Sequence, residues 1–130
     1  MKRYVFLSFA IASAAWSPAQ AATPQELLSG YAAQAAAQGA PDRGQAFFTT
    51  RHGREWSCAS CHGAVPTRDG KHAATGKSIR ALAPTVSPER FTDPAKVEKW
   101  FRRNCKDVVG RECNPVEKAD VLAWLLTLKP

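Results

Sequence analysis

The sequence predicts an all-α fold on three grounds. A cap-forming residue stands directly before proline at Thr23-Pro24, Asp93-Pro94 and Asn114-Pro115. Apolar residues follow these starts three and four positions apart, the period of one helix face. From Gly63 to Ser87 the chain is rich in Gly, Pro, Thr, Ser and charge, without the sustained alternation a strand needs. At 130 residues, the length suits one domain.

Taken in order, the N-terminus reads as a leader. Met1-Lys2-Arg3 is a basic start, Tyr4 to Trp16 an apolar run, and Ala19-Gln20-Ala21 the small-x-small pattern that a signal peptidase cleaves. Residues 1–21 are therefore expected to be a signal peptide, leaving 22–130 as an exported, periplasmic domain. The apolar run falls short of the ~20 residues of a permanent membrane helix, so a membrane-spanning protein is excluded. The first helix is expected from Pro24 to about Gly39, with Leu27, Leu28, Tyr31 and Ala35 on one stripe. The spacings Thr23 to Glu26 and Asn114 to Glu117 are those of a capping box. A shorter helix is expected over Asp42–Thr50, with Ala46 and Phe47 or Phe48 inward. Another is expected from Pro94 to Val109, stopped by Gly110, and a last one carries Val121, Leu122, Leu125, Leu126 and Leu128. Gly63 to Ser87 reads as a long loop, and a loop of that length in a small domain is normally functional or wrapped around something.

Eighteen Lys and Arg against eleven Asp and Glu give a formal charge of +7. Loss of Lys2 and Arg3 with the leader lowers this to +5. With the basic residues dispersed and no nucleic-acid motif, the excess reads as a positive face toward an acidic partner, and nucleic acid is excluded.

Cys58-Ala59-Ser60-Cys61-His62 is C-x-x-C-H, the attachment motif of c-type haem. Two thiols add across two vinyl groups, and the adjacent His62 lies under the iron as proximal ligand. A thiol-redox C-x-x-C would need a βαβ setting, which the pattern lacks. Zinc held by Cys58, Cys61, Cys105 and Cys113 is chemically possible, but an oxidising compartment favours disulfides. With the haem taking its pair, Cys105 and Cys113 read as a disulfide, two free buried thiols being the alternative.

The sixth ligand is not methionine, because the only Met is Met1. His52, His72, the lysines and an inward amide remain. Val97, Trp100, Phe101, Asn104 and Val108 fall on one helical face, so Asn104 is expected to point inward. On pattern alone a core Asn bonded to backbone is the better reading. Pro84, in Leu82-Ala83-Pro84, resembles the loop proline whose carbonyl accepts from the proximal His in class I cytochromes, an ordinary turn proline being the alternative. Lys77 and Arg80 are candidates for pairing with haem propionates, solvated loop charges being the more usual reading.

The run Lys99-Trp100-Phe101-Arg102-Arg103-Asn104-Cys105-Lys106-Asp107-Val108-Val109-Gly110-Arg111-Glu112-Cys113, with Asn114-Pro115-Val116-Glu117-Lys118-Ala119-Asp120 after it, resembles the SHP (sphaeroides haem protein) family of cytochromes c. Thr75-Gly76-Lys77, Leu82-Ala83-Pro84 and Arg90-Phe91-Thr92-Asp93 extend the likeness. The resemblance implies a class I cytochrome c fold around one covalent haem, Asn104 as labile distal ligand, and a Cys105–Cys113 bridge. It implies electrons delivered from a dihaem cytochrome c and a membrane cytochrome b. It also implies O₂, NO or CO binding at the ferrous haem, with oxygen- or NO-reacting oxidoreductase activity left open. A plain electron carrier with another sixth ligand is the competing reading, and no residue is singled out as catalytic.

Overall fold

Each cap–proline pair of the sequence starts a helix. The computed structural model describes residues 21–130, so the leader expected over 1–21 lies, apart from Ala21, outside the described residues. In chain order the elements are α1 (Pro24–Ala35), α2 (Pro41–Thr49), α3 (Cys58–His62), β1 (Gly70–Lys71), β2 (Ser78–Ile79), α4 (Pro94–Val108) and α5 (Pro115–Thr127). The all-α class holds. Among the described residues no helix is long and apolar enough to cross a membrane.

α5 is the centre of the packing, buried from Ala119 to Leu125. Two of its faces serve two clusters. Ala119 and Leu122 meet Tyr31 of α1 and Val97 of α4, while Val121, Trp124 and Leu125 meet Phe48 of α2. Phe101 and Phe91 pack against both clusters and join them. Burying a side chain such as Phe48 or Leu125 contributes about 2 kcal/mol of transfer free energy.

The ends of α1 and α2 depart from expectation for tertiary reasons. α1 stops at Ala35 rather than near Gly39, because Ala36 turns left-handed at φ 50° and its N–H reaches back to the carbonyls of Ala32 and Ala33. Alanine favours continuing the helix, but the chain must turn there to reach α5. Gly39 then lies so close that a Cβ would meet the Ala119 carbonyl. α2 begins at Pro41, a fourth proline start that Ala40 cannot cap with its own side chain. Asp120 of α5 caps it instead, accepting from the Ala40 N–H at 2.7 Å. The same carboxylate accepts from Arg43 Nε at 2.8 Å and Nη2 at 2.7 Å. Ala46, expected inward, is exposed, because the buried stripe of α2 is Gly44 and Phe48, four residues apart. A Cβ at Gly44 would collide with the Asp120 carbonyl.

The segment expected as a bare loop contains a small antiparallel ladder, Gly70 opposite Ile79 and Lys71 opposite Ser78. Two residue pairs are too few to show alternation in sequence. Staples around it hold the segment: Ala81 N–H donates to Asp69 Oδ1 at 2.9 Å, and Leu82 and Ala83 both donate to the Pro66 carbonyl at 3.0 Å. α4 ends as expected, with Val109 as its cap and Gly110 at φ 82° returning its N–H to the Cys105 carbonyl. A disulfide joins Cys105 to Cys113, their Cα atoms 5.6 Å apart, tying the end of α4 to the start of α5.

Candidate haem site

The whole C-x-x-C-H motif occupies α3. Ser60 Oγ accepts from the Ser57 N–H at 3.0 Å at its start, and Gly63 at φ 82° ends it after five residues. Cys58 and Cys61, three apart, share one face of this turn, and His62 follows directly. α3 is pressed onto the core through Cys58 and Ala59, which pack with Leu82 against the Phe48–Trp124 cluster. The Phe48 ring lies 6.1 Å from the His62 imidazole. The hairpin closes the other side. Gly70 approaches the Cys61 carbonyl so closely that a Cβ would collide with it, and the Ala73 N–H donates to Cys61 Sγ at 3.3 Å.

Neither thiol is in a disulfide. Burial pushes the Cys58 thiol up to about 11, so it is held protonated. Burial, with a smaller contribution from the positive charge of Arg90, pushes His62 down to about 4. The imidazole is therefore neutral at neutral pH, the form that binds a metal. Two unpaired thiols and one neutral imidazole on a single helix fit a covalently attached haem, with Cys58 and Cys61 as attachment points and His62 as axial donor.

The remaining candidates are dispersed. His52 is tied down, its Nε2 2.8 Å from the Phe47 carbonyl and its ring 4.3 Å from the Phe47 ring. It sits at φ 50° in the turn after α2. His72 sits at the hairpin turn, where its Nδ1 accepts from the Thr75 N–H at 3.2 Å. Lys77 is exposed in that turn, and Arg80 pairs with Glu89 at 2.8 Å. Pro84 is half-buried, directly after the buried Ala83.

Asn104 lies on the helical face expected of it but is exposed rather than buried. α4 buries Val97, Cys105 and Val108, and half-buries Phe101, whereas Trp100 and Asn104 are exposed. At about 100° per residue Asn104 lies about 20° from Val97 and about 40° from Val108 around the helix, on the face the sequence assigned to it. It stands on the Val97–Val108 face, three residues beyond Phe101 and directly before the bridge, with its side chain exposed.

Two clamps escaped sequence reading. One is the Asp120 carboxylate described above, whose only signal is an acid inside the apolar run Ala119–Leu125. The other is Arg90, which donates through Nε to the Ala81 carbonyl at 3.1 Å and through Nη2 to the Arg80 carbonyl at 2.7 Å. Backbone carbonyls carry no sequence signature.

Comparison with known proteins defines the class. The family model described as "Domain of unknown function (DUF1924)" matches residues 34–125. The solved structure described as oxidised SHP, an oxygen-binding cytochrome c, superposes with a TM-score of 0.77 at 49% identity, over 82% of this chain and 97% of that one. The crystal structure of oxidised cytochrome c'' from Methylophilus methylotrophus gives a TM-score of 0.72 at 39% identity, over 82% and 95%. Fold and motif together make this a monohaem c-type cytochrome with one covalently bound haem. In sequence, the chain is 48% identical over 129 residues to cytochrome c-type protein SHP of Cereibacter sphaeroides, covering 96% of this chain and 98% of that protein. It belongs to the SHP family of cytochromes c, as its sequence suggested.

Proposed function

We propose that residues 22–130 form a periplasmic cytochrome that combines electron transfer with redox-gated binding of a diatomic gas, and that 1–21 is the signal peptide that exports it. Cys58 and Cys61 carry the haem, His62 is the proximal ligand and Asn104 the labile distal one. Bound there, haem c supplies a one-electron couple and an axial position that a small gas can take. The observation that carries this reading is the pairing of a motif helix bearing free thiols and a neutral His62 with an exposed Asn104 on the Val97–Val108 face of α4, its amide uncommitted among the described side-chain hydrogen bonds.

The chemistry of Asn104 follows from its donor. A carboxamide is a hard ligand that suits ferric iron better than ferrous, so Asn104 lets go on reduction. Its N–H groups are then free to donate a hydrogen bond to an incoming O₂, NO or CO. The Cys105–Cys113 bridge fixes the backbone immediately beyond Asn104, so release is a side-chain movement and not fraying of α4. The relative described as oxygen-binding supports the gas reading. Electrons are supplied by a dihaem cytochrome c and a membrane cytochrome b.

The test is the absorption spectrum of the oxidised, reduced and CO-treated holoprotein, wild type against Asn104→Ala, with His52→Ala and His72→Ala as controls. Expected are a ferric spectrum changed only by Asn104→Ala and a ferrous protein that takes CO. A six-coordinate ferrous protein inert to CO would leave a plain electron carrier. A ferric spectrum untouched by Asn104→Ala would remove Asn104 from the site.

A further inference from the structure

The segment Arg80–Ala83 reaches the motif helix through Leu82, which packs with Cys58 and Ala59 on one cluster. Three anchors hold it. Asp69 accepts from the Ala81 N–H, and the Pro66 carbonyl accepts from Leu82 and Ala83. The third anchor is Arg90, whose guanidinium spans the Ala81 and Arg80 carbonyls at 3.1 and 2.7 Å. Ala81 and Ala83 are buried, and the bond to the Ala81 carbonyl is partly buried whereas that to the Arg80 carbonyl is exposed.

Arg90 is held in place at a cost. The next residue, Phe91, adopts φ 59°, a left-handed conformation that costs a non-glycine residue roughly 1 kcal/mol or more. That turn sends the Phe91 ring into both core clusters while Arg90 faces the 80–83 carbonyls. A solvated loop arginine would need no such backbone. The guanidinium keeps its charge in any accessible pH range and its fork matches two carbonyls, which a lysine cannot do. Leu82 of the clamped segment packs with Cys58 and Ala59, which places the clamp beside the motif helix.

We propose that Arg90 is a positioning residue of the haem site: its guanidinium clamps the Arg80 and Ala81 carbonyls to hold the 80–83 segment against α3, and its charge raises the reduction potential of the iron. The inference rests on His62 being the proximal ligand. Reduction lowers the charge of the iron and its ligands by one unit, so a fixed cation nearby favours the reduced form. Arg90 thereby offsets part of the fall in potential caused by the lack of a thioether ligand.

The experiment compares holoprotein of wild type, Arg90→Lys and Arg90→Gln by redox titration and by amide exchange at Ala81, Leu82 and Ala83. Arg90→Gln is expected to shift the midpoint potential negative, and Arg90→Lys to stay near wild type, because it keeps the charge. Both variants are expected to exchange faster at the three amides, because neither has the fork. An unchanged potential in Arg90→Gln, or an equal shift in Arg90→Lys, overturns the electrostatic assignment; unchanged exchange overturns the clamp. Should Arg90→Gln yield no holoprotein, exchange in Arg90→Lys decides. His62→Gly with and without added imidazole separates the premise: a haem spectrum indifferent to both would fail the His62 reading itself, whatever Arg90 does.

Discussion

Replacing Asp120 with alanine removes the side chain that, among the described residues, bonds α5 to both the start and the first turn of α2. Its carboxylate is 6% exposed and its partner Arg43 is 57% exposed, so the two sides of the pair are not equivalent. The guanidinium regains water when the carboxylate goes, which limits the ion pair to about 1 kcal/mol. Loss of the α2 cap at Ala40 adds about 1 kcal/mol, and the truncated buried side chain leaves unfilled space worth about another 1 kcal/mol. Asp120→Ala is therefore expected to cost about 3 kcal/mol, or roughly 10–20 °C in Tm for a domain of this size. Urea denaturation of the holoprotein, followed by far-UV circular dichroism, should show a lower midpoint with an unchanged slope. Asp120→Asn keeps an acceptor for the Ala40 N–H and should lose about half as much. A loss below about 1 kcal/mol in Asp120→Ala, or a slope that changes with it, would refute the clamp as the lock between α2 and α5.

Other outcomes follow from the same geometry. Cys113→Ser opens a ring of sequence separation 8 and is expected to cost roughly 2.5 kcal/mol, read by denaturation, with faster amide exchange at Val109 and Gly110. Gly70→Ala places a methyl into the Cys61 carbonyl, so the yield of protein with covalently attached haem should fall while α1, α2 and α5 still pack; full haem incorporation would contradict the close approach. Tyr31 is the sole tyrosine of residues 22–130, and burial followed by the nearby Glu98 carboxylate raises its pKa above the ordinary 10.0. Its neutral form is favoured by folding, so this contribution to stability is whole below pH 10 and is lost as pH rises beyond it. Absorbance at the tyrosinate band should stay silent until the protein unfolds in alkali.

Much of this molecule was legible in one dimension because its signals are local. A residue that caps its own helix, as Thr23, Asp93 and Asn114 do, is recognised from three or four neighbouring positions. Gly110 stops α4 through its own backbone freedom. The motif from Cys58 to His62 states its chemistry within five residues, and SHP membership was carried by runs of adjacent residues.

Tertiary structure decided whatever depends on partners distant in sequence. The end of α1 and the start of α2 are set by the approach of Gly39 and Gly44 to α5, about eighty residues away, and by the Asp120 cap. Helical periodicity places Asn104 on the face of Val97 and Val108, and only the folded chain shows that Val97 and Val108 are covered there while Asn104 is exposed. The Arg90 clamp acts on carbonyls, which every residue possesses, so only the folded chain could reveal which ones it holds.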